Sequence, residues 1–185
     1  MSFHRVRREA LVSPVCTLEP QLVAHAAEMF QVLSDPAIYE YEGVPPPSIE
    51  RLTDGYRRRE SRVSPDGSEK WLNWVVRLPS GDLAGYVQAT VLPQGASYIG
   101  FEFASRYWRR GLGTASVSAL LQELASAYGV HTFVAVLKTV NFRSMGLLTR
   151  LGFEPASAHE SAEFESEADE VVLLKPAISL RRSCV

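Results

Sequence analysis

Cysteine is nearly absent from this chain, and its scarcity removes several chemistries at once. The two cysteines, Cys16 and Cys184, stand near opposite ends of 185 residues. They make neither a disulfide framework nor a metal-ligand spacing, so no bound metal is expected. A reducing compartment, the cytoplasm, is the expected location. Charge of one sign is lacking too. Against 19 Lys and Arg stand 21 Asp and Glu, a net charge of -2, and no basic field argues for nucleic acid or an anionic membrane. Arginines gather only locally, at Arg5, Arg7, Arg8 and at Arg57, Arg58, Arg59, and each group reads as a solvated face. No apolar run is long enough to span a membrane, and the polar start from Met1 to Arg8 has no signal-peptide pattern. Internal repeats, low-complexity tracts and linkers are missing as well, which argues for a single domain over 1–185, its core at about 10–176 and its two tails polar.

What is there is an ordinary globular composition, 46% hydrophobic and 22% charged, in a chain long enough to bury a real core. Ala10 to Leu18 reads as a first strand. Glu19-Pro20 predicts a helix start, with Leu22, Ala26, Met29, Phe30 and Leu33 at helical spacing. Ser48 is the N-cap of a second, peripheral helix reaching about Arg62. Three strand signals follow, Trp71 to Leu78, Leu83 to Leu92 and Tyr98 to Ala104, joined by short turns as in an antiparallel meander. A helix over Thr114 to Tyr128 ends at Gly129, and His131 to Leu137 reads as a central strand. Asn141 caps a helix to Leu151, and Phe153 to Ala158 and Glu170 to Lys175 read as closing strands. The sum is an α/β chain (an α+β mixed sheet) with about seven strands, mostly antiparallel, flanked by four helices, and one parallel crossover.

That crossover passes through Tyr107-Trp108-Arg109-Arg110-Gly111-Leu112-Gly113-Thr114, at a strand-to-helix junction. Glycine lets backbone N–H groups close on a ligand, and a helix start offers unpaired donors and a positive dipole end. Together these suit a phosphate or pyrophosphate. The nucleoside-triphosphate string Gly-x-x-x-x-Gly-Lys-Ser/Thr is absent. A dinucleotide fingerprint fails too, because Ser116 replaces the third glycine and the next strand ends in Leu137-Lys138 instead of an acid.

The same stretch resembles the pyrophosphate loop of the GNAT superfamily of N-acetyltransferases. The segment from Asn141 through Ser144 to Leu151-Gly152-Phe153 resembles its companion, Asn-x-x-Ser followed by Leu-Gly-Phe, at the separation that superfamily shows. The pair Tyr107-Trp108 is similar to the branch containing ribosomal-protein N-terminal acetyltransferases. The resemblance covers Tyr98 to Phe153, and before that only the order of elements. It implies a GNAT-like fold, acetyl-CoA as co-substrate, and direct acetyl transfer to an amine without a covalent enzyme intermediate. It implies that backbone N–H groups of Arg109, Arg110, Gly111, Leu112, Gly113 and Thr114 hold the pyrophosphate. Phe101, Glu102 and Phe103 would bond the pantetheine arm as a strand edge does, and Asn141 would reach it from the later helix.

Acetyl transfer needs a base for the ammonium, donors for the oxyanion and a proton for the leaving thiolate. Glu102, an acid in an apolar strand, is the candidate base, or else a solvent-side residue. The family's Tyr acid, seven positions after the Asn, is Leu148 here, which puts the acid in question. Ser144 is then the thiolate partner implied by the resemblance, or simply a first-turn cap. Where the superfamily places a Glu before Asn141 stands Val136. Glu40 and Glu42 either attract a cationic amine or are ordinary loop acids. His131 reads as structural or exposed, and Trp71, Trp74 and Trp108 as core or sheet-surface residues. Protein N-terminus, aminoglycoside, polyamine and free amino acid all stand as acceptors, and a homodimer through sheet edges or amphipathic helices stays open. The alternative to catalysis is an acyl-CoA-binding or regulatory domain on the same fold.

Overall fold

The computed structural model describes residues 9–41 and 43–177. Arg5, Arg7, Arg8, Glu42, Cys184 and the ends of both tails lie outside the described residues. Apolar-rich stretches in the meander, buried on both faces, form three long strands, β3 (Lys70–Arg77), β4 (Leu83–Val91) and β5 (Ala96–Phe103). Trp74 and Val76 join one core while Val75 joins another, as the two-residue period of a strand requires. β6 (Thr132–Lys138) and β8 (Glu170–Pro176) follow as an antiparallel pair. With β1 (Leu11–Val12), β2 (Thr17–Pro20) and β7 (Glu154–Pro155), the sheet runs β1-β2-β3-β4-β5-β6-β8-β7. Every described neighbour pair is antiparallel but β5–β6.

α1 (Ala26–Leu33) and α2 (Ile49–Arg59) cover one face, burying Met29, Val32 and Tyr56 against Val75. α3 (Leu112–Tyr128) and α4 (Phe142–Arg150) belong to the larger core, where Leu120, Leu124 and Leu148 meet Trp74, Val87 and Phe133. Ser48 caps α2 as expected, its Oγ accepting from Arg51 N–H at 3.3 Å. Arg57, Arg58 and Arg59 face solvent. Among the described residues no helix is long and apolar enough to cross a membrane.

Among the described residues there are eight strands where about seven were expected, and five α-helices where four were. Both differences come from short elements. The single strand expected over Ala10 to Leu18 is a hairpin, because Ser13 N–H bonds Cys16 C=O at 2.9 Å and turns the chain back. Glu19-Pro20 does not start a helix. It ends β2 in register with Val75 and Trp74. β1 pairs only with Thr17 and Leu18, so Pro20 sits where the outer edge is open and its missing N–H costs no ladder bond. The expected strand Phe153 to Ala158 is only two residues long, and α5 (Ala158–Ser161) follows it. Ser157 and Glu160 form a reciprocal capping box there, Ser157 N–H to Glu160 Oε2 at 2.9 Å and Glu160 N–H to Ser157 Oγ at 3.3 Å.

The feature that positions the site is a divergence. β5 and β6 pair in parallel only at Ala96–Thr132, Ser97–Phe133 and Tyr98–Val134. Beyond that, β5 stays with β4 and β6 with β8. A wedge opens between them, and the start of α3 and the start of α4 both stand beside it.

Candidate active site

The wedge is a cavity of about 760 Å³. Ile99 to Phe103 of β5 line it, with Val136 of β6, Tyr86 and Gln88 of β4, Trp108, Arg109 and Gly113 at the turn, and Asn141, Ser144 and Leu147 of α4. The turn is anchored from two sides. Trp108 Nε1–H bonds Phe103 C=O at 2.7 Å, and Ser105 N–H bonds Asp35 Oδ2 at 2.6 Å. Burial alone would push the Asp35 carboxyl up, but hydrogen bonds from Ser105 and Ala37 and the nearby Arg106 charge outweigh it and hold it below its ordinary value.

Past that anchor the backbone is left-handed at Arg109 (φ 60°) and at Gly111 (φ 78°), which precedes the first residue of α3. The helical ladder begins with Ala115 N–H to Gly111 C=O at 3.0 Å. The N–H groups of Leu112, Gly113 and Thr114 therefore precede it and are available to an anion at the dipole's positive end. The two glycines serve different needs. A Cβ at Gly111 would meet nothing within 4 Å, so its demand is conformational. A Cβ at Gly113 would lie 2.6 Å from Leu147 Cδ1, so its demand is space between α3 and α4. Arg109 and Gly113 line the cavity, whereas Arg110, Gly111, Leu112 and Thr114 do not. Arg110 and Gly111 are exposed and the Leu112 side chain is buried in the core, so these positions can serve an anion chiefly through their backbone.

On the β5 side, Ala104 N–H bonds Ala84 C=O of the β4 segment at 2.9 Å. By alternation the backbone groups of Glu102 also point to β4, and those of Phe101 and Phe103 point to the open wedge. Glu102 is thus turned away from the edge role it was expected to share with its two neighbours. The Phe103 carbonyl is engaged by Trp108. Phe101, and the N–H of Phe103, offer the kind of edge that an extended amide chain can add to.

The Glu102 side chain stands on the face of α1 and α2. Its register partner is Tyr86. The Tyr86 phenol is pushed well above its ordinary value, first by burial, then by the Glu102 charge and a hydrogen bond to Glu102. Tyr39 is raised by burial and then by the same carboxylate. Tyr56 is pushed up to about 12, chiefly by burial, with Glu102 adding to it. Glu102 is therefore an acid ringed by phenols at the cavity wall, not a solvent-side residue.

Across the wedge, Asn141 is buried and its Oδ1 accepts from Ser144 N–H at 3.1 Å, capping α4. Asn141 and Ser144 both line the cavity. Leu148 does not. It is 1% exposed and belongs to the core. The phenols that line the cavity are Tyr41, Tyr86 and Tyr107.

Arg143, which no sequence pattern singled out, ties α4 to the segment between α1 and α2. A terminal nitrogen of its guanidinium bonds Glu40 Oε2, both side chains being about half exposed. Such pairs contribute roughly 0–1 kcal/mol. The guanidinium carbon also lies 4.4 Å from the Trp108 ring centroid and 5.4 Å from that of Tyr41. Glu40 is thereby engaged with Arg143 and is not the free attractor of an amine that its loop position suggested. His131 sits apart, with Nε2 at 2.9 Å from Gln94 C=O and Nδ1 at 3.1 Å from Thr132 Oγ1. Cys16 is buried against Ser116, and no group of metal-binding side chains occurs among the described residues. Trp74 is core, and Trp71 Nε1–H bonds Glu69 at 2.8 Å.

A family model described as an acetyltransferase (GNAT) domain matches residues 16–154. A search of curated proteins finds no match. Among solved structures the chain is similar to RimL, a ribosomal L7/L12 alpha-N-protein acetyltransferase in complex with coenzyme A. The TM-score is 0.74 at 16% identity, covering 91% of this chain and 98% of that one. It is similar also to MccE, a microcin C7 self-immunity acetyltransferase in complex with acetyl-CoA and AMP, with a TM-score of 0.72 at 17% identity over 89% and 93%. A GCN5-related N-acetyltransferase from Brucella melitensis aligns with a TM-score of 0.73 at 17% identity over 93% and 80%. At these identities the likeness speaks for the fold.

Proposed function

We propose, starting from the fact that this chain belongs to the GNAT family of acetyltransferases and uses acetyl-CoA as its co-substrate, that it transfers the acetyl group directly to a primary amine seated beside Glu102. The observation that carries this reading is the β5–β6 wedge, which has an unpaired strand edge on one wall, a capped helix start on the other, and a half-buried carboxylate beside the Tyr86 phenol at its side. The pyrophosphate rests on the backbone N–H groups from Arg109 to Thr114. The pantetheine amides pair with Phe101 and Phe103 N–H, and Asn141 flanks the arm from α4.

The chemistry then balances as follows. The acceptor ammonium gives one proton to Glu102, directly or through a water. The freed lone pair attacks the thioester carbon and forms the C–N bond. Collapse of the tetrahedral adduct breaks the C–S bond, and the nitrogen's second proton passes to the departing thiolate, relayed by a hydroxyl or a water that is left neutral. Ser144 Oγ–H is the hydroxyl on that face of α4 to donate to the sulfur, since Leu148 is enclosed in the core. Net products are an amide and coenzyme A. The acceptor in this reading is a protein N-terminus or a small amine.

The test is thermal denaturation with and without acetyl-CoA, on the wild type and on Gly111→Glu. Ligand that binds only the native state raises the midpoint by mass action. A rise in the wild type that Gly111→Glu abolishes, in a variant that still melts cooperatively, supports the loop assignment. An unchanged midpoint at saturating acetyl-CoA overturns it. Glu102→Gln tests the base separately. It is expected to lower kcat by about 10²-fold or more while leaving the acetyl-CoA stabilisation in place, and wild-type kcat in that variant removes Glu102 from the chemistry.

A further inference from the structure

We propose that the acceptor is a primary amine that also carries an anionic group, a carboxylate or a phosphate, and that Arg143 binds that group. This rests on the acetyltransferase reading above and extends it to the substrate. Arg143 and Glu102 line one cavity, so the wall presents a cation for an anion and an anion for an ammonium. The guanidinium is oriented before any ligand arrives. Its plane is held near two aromatic faces, 4.4 Å from the Trp108 centroid and 5.4 Å from Tyr41, an arrangement that suits a planar, weakly hydrated cation. Its bond to Glu40 uses a terminal nitrogen, and both partners are about half exposed. Such a pair exchanges readily for an incoming anion that meets the guanidinium fork with two parallel hydrogen bonds.

Place separates Arg143 from the coenzyme's phosphates. Its acidic partner and one of its aromatic partners come from the segment between α1 and α2, not from the glycine turn. Its neighbours on α4 are Asn141 and Ser144, at the reacting end of the proposed pantetheine path. Of the other lining arginines, Arg109 belongs to the glycine turn and Arg150 to the last turn of α4. Charge at Arg109 is accounted for by the coenzyme's pyrophosphate, and Arg150 lies two turns of helix beyond Arg143, away from the start of α4. Charge at Arg143 is left for the acceptor.

The experiment measures steady-state thiol release with two matched pairs of acceptors. One pair is an α-amino acid and its α-carboxamide, and the other is an aminoalkyl phosphate and the corresponding amino alcohol. The wild type is expected to favour the anionic member of one pair by about tenfold or more in kcat/KM, the scale of one charge-assisted bidentate contact. Which pair responds tells carboxylate from phosphate. Arg143→Gln is expected to erase that preference through acceptor KM, with acetyl-CoA KM unchanged. Arg143→Lys, which keeps the charge but loses the fork, is expected to recover only part of it. Four outcomes overturn the proposal: no preference or no turnover in both pairs, a preference that survives Arg143→Gln, a rise confined to acetyl-CoA KM, or a neutral peptide N-terminus preferred over all four small amines. Acetyl-CoA stabilisation measured on the same samples separates the two levels. If it persists, this inference alone fails. If it is absent, the acetyltransferase site itself is wrong.

Discussion

Replacing Gly113 by Ala sets two effects against each other, and the structure decides which wins. Alanine is a better helix former than glycine by up to about 1 kcal/mol, less in a first turn. The added Cβ, however, falls 2.6 Å from Leu147 Cδ1, with Phe103 Cε2 at 3.5 Å. Ordinary carbon–carbon contact is about 3.5–4.0 Å, so the Phe103 distance is harmless and Leu147 must retreat by about 1 Å. Overpacking of that kind costs about 1–3 kcal/mol, softened because Leu147 is only half-buried. Gly113→Ala alone is therefore expected to destabilise by about 0.5–1.5 kcal/mol. In a Leu147→Ala background the obstructing atom is gone and only the propensity term remains. There the same substitution is expected to stabilise, by up to about 1 kcal/mol. The assay is urea denaturation of the four proteins of the cycle, with a coupling free energy of about 1–2 kcal/mol expected. Equal destabilisation in both backgrounds would refute the assignment of Gly113 to the space between α3 and α4. The functional companion is acetyl-CoA stabilisation, expected to weaken in the single variant, where α3 is pushed off α4, and to return in the double variant.

Asn141→Ala removes the cap of α4 and is expected to cost about 1 kcal/mol in denaturant, with weaker acetyl-CoA stabilisation in the same samples. Ser144→Ala should leave stability within about 0.5 kcal/mol and lower kcat more than KM; unchanged kcat would remove the hydroxyl from thiolate protonation. Asp35 has a folded value below its ordinary 3.8, so its contribution to stability is complete above that unfolded value and is lost as pH falls through the folded one. Stability of Asp35→Asn should therefore fall less steeply than that of the wild type over that acid window, and parallel acid limbs would show that the Ser105 anchor carries no such linkage. Trp108→Phe leaves the Phe103 carbonyl without its indole donor, a loss of about 0.5–1.5 kcal/mol, read by chemical denaturation and by a weaker acetyl-CoA response.

The long elements were legible because their causes are local. The apolar stripe of α3, the Ser48 and Asn141 caps and the turns of the meander are each set by residues a few positions apart. The misread pieces are those where a local cue had two outcomes. Glu19-Pro20 can open a helix or close an edge strand, and the short register of β1 on β2 chose the strand. The capping box of Ser157 and Glu160 was there to be read, inside a stretch taken for β-structure. At the site, the glycine turn and the Asn-x-x-Ser segment were visible as strings. Arg143, Tyr86 and Tyr41 were not, since nothing in their immediate neighbours marks them.

The sequence by itself determined the family and the place of the glycine turn at a strand-to-helix junction. Glycine dihedral freedom, helix-start donors and capping side chains act over one turn of chain, so a string of residues is enough to specify them. Tertiary structure alone decided what those residues face. Sheet register put Tyr86 opposite Glu102, and the parting of β5 from β6 after Tyr98 opened the cavity. The packing of α4 brought Arg143 to Glu40, 103 positions away. Such pairings depend on how whole strands and helices bury their apolar faces together, a cooperative choice that no short stretch of sequence makes alone.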